Sequence, residues 1–266
     1  MVEHIYLKSI WQIKDFEGFQ NIREFEVVEN NCTENYTDNN IWKIIHLIPK
    51  LEVLHITSLF SSIDSKVFAV PRLPNIRKIN WVLVTKDCTD ISFDLGNIVE
   101  LDLLGINTDI GIEIINAPQK IREYVLTLTG DPSPSLNICA EFVTIQSKKS
   151  WVYICTNAVK QLCLTGKIGA VISDSVLVLY ISYPNNRCML CETKNIQVLK
   201  IYAESIDVKV DNVRELYLIS TRGDIRLFGN TKVLENIYLN SCKFIFSNID
   251  RIERHNPGVT YIYNKR

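Results

Sequence analysis

The sequence predicts an α/β repeat solenoid in which each coil adds one short strand to a parallel sheet of about 12–13 strands. Three observations predict it. An apolar residue at a position n is followed by others at n+3 and n+5 thirteen times along the 266 residues, from Val2 to Val259. Successive starts are 17 to 29 residues apart, about 21 on average, which is the size of one small supersecondary unit. One long interval holds apolar residues at helical spacing, whereas the shortest leave roughly a dozen residues for the return, too few for a helix and two turns.

In order, the segments are VEHIYL from Val2, IREFEV from Ile22, LEVLHI from Leu51, IRKINW from Ile76, IVELDL from Ile98, IREYVL from Ile121 and AEFVTI from Ala140. They continue with VKQLCL from Val159, VLVLYI from Val176, IQVLKI from Ile196, VRELYL from Val213, LENIYL from Leu234 and the weaker VTYIYN from Val259. Side chains alternate along a strand, so n+3 and n+5 point into the core while n+2, n+4 and n+6 point out; n precedes the strand and closes the coil. The interval of 29 residues after Ile22 contains DNNIWKIIHLIPK, where Ile41, Ile44, Ile45 and Ile48 have helical spacing. Asp38 or Asn40 caps its start and Pro49 follows its end, so this segment is expected as a helix on the outer, return side. The intervals of 17 to 19 residues are expected to return through extended or 3₁₀ segments. GDPSPS (130–135) and SYPNNR (182–187) read as turns on the coil margins. The repeat runs through both, so residues 1–266 are expected to form a single domain, with no room for a further module before Val2.

Two segments extend the pattern: LENIYLNSCKF (234–244) and IREFEVVENNC (22–32), the latter with Asn30 at the ninth place. This L-x-x-L-x-L-x-x-N/C-x-L spacing resembles the leucine-rich repeat superfamily, and the resemblance covers nearly the whole chain. It implies a horseshoe with a concave parallel sheet, helices mainly on the convex side of the amino-terminal repeats, and recognition on the concave face. The chain departs from the pattern at the ninth place, where Leu59, Lys148, Pro184 and Glu204 stand, so the polar ladder at the bend must be patchy. Backbone bonds, hydroxyls or water are expected to substitute. The alternative fold is a right-handed parallel β-helix, which requires several strands per coil; one strand-like motif per period and the helix over 41–48 argue against it.

Hydrophobic residues make up 47% and charged ones 22%, with a net charge of −1 and pI near 6.4. There is no overall field to attract phosphate or anionic lipid, and no local basic patch, so neither nucleic acid nor membrane is an expected partner. No run approaches a membrane span and no signal peptide opens the chain, which points to an intracellular, cytoplasmic protein. The eight cysteines are dispersed and read as reduced, small hydrophobes. Cys188 and Cys191 are the one close pair, and no second pair or histidine cluster follows to complete a metal site. His4, His46, His55 and His255 are scattered, and phosphate-binding glycine motifs are absent, so no cofactor and no catalysis are expected. Abundant Ile, Asn and Lys suit an AT-rich genome such as that of a virus or parasite.

The outward n+4 positions carry the functional expectation. They are Tyr6, Glu26, His55, Asn80, Asp102, Val125, Thr144, Cys163, Tyr180, Lys200, Tyr217, Tyr238 and Tyr263, with Tyr202 and Tyr261 in neighbouring columns. Tyrosine supplies contact area and a polar tip with little rotamer entropy to lose, so Tyr180, Lys200, Tyr202, Tyr217, Tyr238 and Tyr263 are candidates to bind a protein or peptide. Tyrosine's strand propensity offers a purely structural reason for the same ladder. Glu26 and Asp102 mark an acidic amino-terminal half, where glutamate at n+2 is also an ordinary scaffold residue of the family. Thirteen strands at about 4.8 Å give a strip of roughly 600–900 Å², close to the roughly 800 Å² that one partner contributes to a standard interface. The expected function is therefore a non-catalytic protein-binding module. Its alternatives are the recognition subunit of an F-box-like adaptor assembly, with no F-box in this chain, and a β-helix enzyme acting on polysaccharide.

Overall fold

Each of the thirteen apolar segments carries a strand that pairs in parallel with a strand of a neighbouring segment. The computed structural model describes residues 4–7, 19–31, 45, 47–60, 67–70, 72–85, 90–109, 111–118, 120–129, 136–157, 159–172, 174–190, 195–230, 233–241, 243–246 and 260–265. The chain divides into two compact units, 1–157 with 168–171, and 158–167 with 172–266.

The strands of the first unit are β1 (His4–Leu7), β2 (Glu24–Asn31), β3 (Val53–Phe60), β4 (Val67–Ala69), β5 (Lys78–Thr85) and β6 (Asp90–Asp94). They are followed by β7 (Glu100–Thr108), β8 (Gly111–Ile115), β9 (Lys120–Leu128), β10 (Leu136–Cys139) and β11 (Phe142–Asn157). The main sheet has the order β1-β2-β3-β5-β7-β9-β11. Among its n+3 and n+5 residues, Phe25 and Val27, and Leu54 and Ile56, are 0 to 1% exposed. Burying each such side chain contributes roughly 1.5–3 kcal/mol. The returns are strands too: β4, β6 and β8 form a second parallel sheet, and β10 pairs with the last four residues of β11. This corrects the reading of one strand per coil. Segments such as DISFD and GIEII are too short for a helix and place a buried apolar side chain, Phe93 and Ile112, on the inner face. The two sheets meet in the core, where Trp81 of β5 packs edge-on against Phe93 of β6 with ring centres 4.5 Å apart.

Helix is nearly absent among the described residues. A 3₁₀ turn spans Phe19–Asn21. The helix expected over 41–48 lies mostly outside the described residues; within them, Ile45 is helical, and Ile45 and Ile48 are both buried.

The second unit contains β12 (Gln161–Val171), whose last four residues belong to the first unit, then β13 (Val178–Leu190), β14 (Val198–Asp211) and β15 (Glu215–Ser220). It continues with β16 (Asp224–Asn230), β17 (Asn236–Ser241), β18 (Lys243–Phe246) and β19 (Thr260–Lys265). The main sheet runs β12-β13-β14-β15-β17-β19. The carboxy-terminal halves of β13 and β14 pair with each other, and β14 pairs with β16 and β16 with β18, as a branch of the same sheet. Cys188, Ile206, Val208, Ile225 and Leu227 fill the inner side of this sheet. SYPNNR, expected as a turn, lies inside β13, and a register shift between Tyr183 and Arg187 interrupts its pairing with β14 there.

Side chains satisfy backbone groups at both corners of the coil. At the ninth place, the hydroxyls of Thr129 and Thr221 donate to the carbonyls of Thr108 and Pro184, at 3.1 and 2.9 Å. These are the hydroxyl substitutes expected where Asn or Cys is missing. At the position before n, Asn75, Asn97 and Asn195 donate side-chain N–H bonds to the carbonyls of Pro49, Val70 and Asp174, at 2.7 to 3.0 Å. This second ladder was not anticipated from the ninth-place pattern.

Candidate functional site

The outward face of the second unit's main sheet consists of three rows set by the register. The central row is Cys163, Tyr180, Lys200, Tyr217 and Tyr238, and the register continues it to position 262 of β19. One flanking row is Gln161, Val178, Val198, Glu215 and Asn236; the other is Thr165, Ser182, Tyr202, Ile219 and Asn240. Lys200 and Glu215 are the only charged residues in these rows. Parallel pairing stacks equivalent positions about 4.8 Å apart, so side chains in a row touch their neighbours.

Tyr180 is 37% exposed, and Tyr217, Tyr238 and Tyr202 are half-buried. The Lys200 ammonium lies 4.9 Å from the centre of the Tyr217 ring. On the next strand, Tyr238 lies beside Tyr217 with ring centroids 6.3 Å apart and planes tilted by 33°. Tyr217 thus has Lys200 over its ring and Tyr238 as a tilted neighbour, and its hydroxyl donates to Glu215 Oε2 at 3.5 Å. The sequence singled out Tyr217, and the register explains its central place. It missed Glu215, whose glutamate at n+2 read as scaffold.

Two expected members are absent from the row. In the backbone register Tyr263 pairs with Leu239, and Ile262, not Tyr263, is the partner of Tyr238. The frame of the last segment therefore starts one residue earlier than VTYIYN suggested, and a one-residue slip exchanges the two faces of a strand. Asp102, in the first unit, is exposed but outside the n+4 row, where Gly105 stands beside Asn80. The frame is LDLLGI from Leu101, with Leu104 and Ile106 buried, because the amides of Asp102 and Leu103 both bond to Arg77 O. A Cβ at Gly105 would lie 2.3 Å from Asn80 Oδ1, so a larger residue there would displace the Asn80 side chain.

Glu26 sits in the outward row of the first unit, beside Tyr6 and His55. It faces His4 at 4.0 Å, while His55 Nε2 lies 3.2 Å from Glu24 and His55 Nδ1 lies 3.2 Å from the Asn80 amide nitrogen. The acidic residues here are thus paired with imidazoles across neighbouring strands. Glu100 pairs with Arg77 at 2.5 Å, at the start of β7.

Cys163 and Cys188 are free thiols, and Cys191 lies outside the described residues. Cys188 faces the core, and burial, with the nearby Asp207 carboxylate, pushes its thiol up to about 12. Burial also raises the Cys163 thiol, partly offset by a hydrogen bond with Thr165. Among the described residues no group of three His, Cys, Asp or Glu side chains is arranged to hold a metal ion. No described helix is long and apolar enough to cross a membrane. No family model, no curated protein and no solved structure matches the chain.

Proposed function

We propose that the second unit is a non-catalytic recognition module that binds a protein or extended peptide on the outward face of its main sheet. The observation that carries this reading is the row Tyr180-Lys200-Tyr217-Tyr238, set in one register on a face with a single cation and a single anion. Depletion of charge with enrichment of tyrosine is the composition of an interface core, and the charged pair Arg214 and Glu235, beside the first row, has the character of a rim. A leucine-rich-repeat-like reading of the thirteen segments assigns recognition to this same face.

Ring geometry favours protein over glycan or nucleic acid. Sugars and bases dock by stacking on open aromatic faces. Lys200 lies over the Tyr217 ring and Tyr238 packs beside it, so less open ring face is offered than ring edges and hydroxyls, which suit backbone amides and apolar side chains. Six strands and three rows span about 29 by 20 Å, on the order of 600 Å², at the low end for one side of a specific interface.

The test is affinity purification from the source cells with the unmodified chain and with Tyr180→Ala/Tyr217→Ala/Tyr238→Ala, after thermal unfolding has shown that the variant folds. Loss of a specific partner in the variant supports the reading. Retention of every partner overturns it and makes these tyrosines scaffold.

A further inference from the structure

Resting on that reading, we propose that the partner's docking segment carries an acidic side chain whose carboxylate seats on Lys200. Four described cations of the second unit have carboxylate partners. Arg187, Lys209, Arg214 and Arg226 each have a carboxylate within 4.0 Å, from Asp207, Asp211, Glu235 and Asp207 respectively. Lys200 has none among the described residues and rests instead on the Tyr217 ring. Glu215, on the neighbouring strand, is turned to the Tyr217 hydroxyl.

A cation–π contact holds the ammonium in place while leaving its N–H donors directed outward. In water this is inexpensive. Under a partner that covers the row, an ammonium without an anion is strongly unfavourable, because desolvation is no longer offset by hydration. Lys200 stands on the third of the six strands, with tyrosines on both sides in its row, so a segment that engages those tyrosines must cover it. A neutral or basic segment would leave its charge unpaired, and a carboxylate at that point pairs it and fixes the register of the bound segment. Apolar or amide-bearing residues on either side match the uncharged neighbours Val178, Val198, Ile219 and Asn236.

The test is selection of random peptides displayed on phage, fused at their carboxy-termini so that only side chains supply carboxylates, against the full chain. The expected result is a family of peptides with Asp or Glu at one fixed place, lost on Tyr217→Ala/Tyr238→Ala. Lys200→Glu is expected to weaken these peptides about tenfold or more and to select Lys or Arg at that place. Lys200→Met, which keeps the stem on the ring, serves as the packing control and should weaken them without reversing the preference. Peptides that depend on the tyrosines but show no acidic preference, or that bind Lys200→Glu unchanged, overturn the inference and leave the face as a recognition surface. Peptides indifferent to the tyrosines, or no enrichment at all, overturn the recognition reading and the inference with it.

Discussion

Tyr124 buries its whole side chain in the first unit, at an inward position of β9, and its hydroxyl has no hydrogen-bond partner among the described residues. An unsatisfied buried hydroxyl costs about 1–3 kcal/mol, and burial also holds the phenol's pKa above its ordinary value of 10.0. The two effects give one testable pattern. The stability that the raised pKa confers is complete below the unfolded value. It falls as pH rises above that value, because only the unfolded tyrosine can release its proton. Tyr124→Phe is expected to be as stable as the unmodified chain or more stable by about 1 kcal/mol near neutrality. It should also lose less stability between about pH 9 and about pH 11. Urea unfolding at both pH values reads the two quantities. Equal slopes for the two proteins would show that Tyr124 is not the group responsible.

Within single elements, the spacing that identified the strands also identified the inward residues of nearly all of them, because alternation ties burial to parity. The outward row was legible wherever the frame was, which is why Tyr180, Lys200, Tyr217 and Tyr238 fall together. It was not legible at β7 and β19. In LDLLGI two overlapping apolar frames compete, and in TYIYNK both faces carry strand-forming residues, so neither periodicity nor propensity decides. Pairing with a fixed neighbour decides. The corner bonds are a second property of elements, and they depend on a hydroxyl at one place. Thr221→Val retains shape and removes the donor to Pro184, so it is expected to lower stability by about 1 kcal/mol, while Thr221→Ser loses less. Thermal unfolding of the two variants side by side checks this, and equal losses would assign the effect to the methyl group instead.

On the scale of each unit, stacked coils make stability a sum of coil terms and nearest-neighbour terms. Leu216 of β15 is fully buried between β14 and β17, so Leu216→Ala is expected to cost about 2–5 kcal/mol. The loss should be local: in hydrogen exchange, amides of β14 and β17 should lose protection before those of β12. Uniform loss across these strands would mean that the unit unfolds as one block.

Period and parity along the chain determined that this protein is a parallel repeat solenoid, where the thirteen strands of its main path lie, and that Tyr180, Tyr217 and Tyr238 share a row. They did so because a strand's two faces and a coil's length are local properties. Tertiary structure alone decided that the returns are paired strands, that SYPNNR lies inside β13, and that the register sets Gly105 beside Asn80 and Ile262 beside Tyr238. Each of these depends on which neighbouring strand a segment meets and in what register, a non-local choice that a run of alternating side chains leaves open.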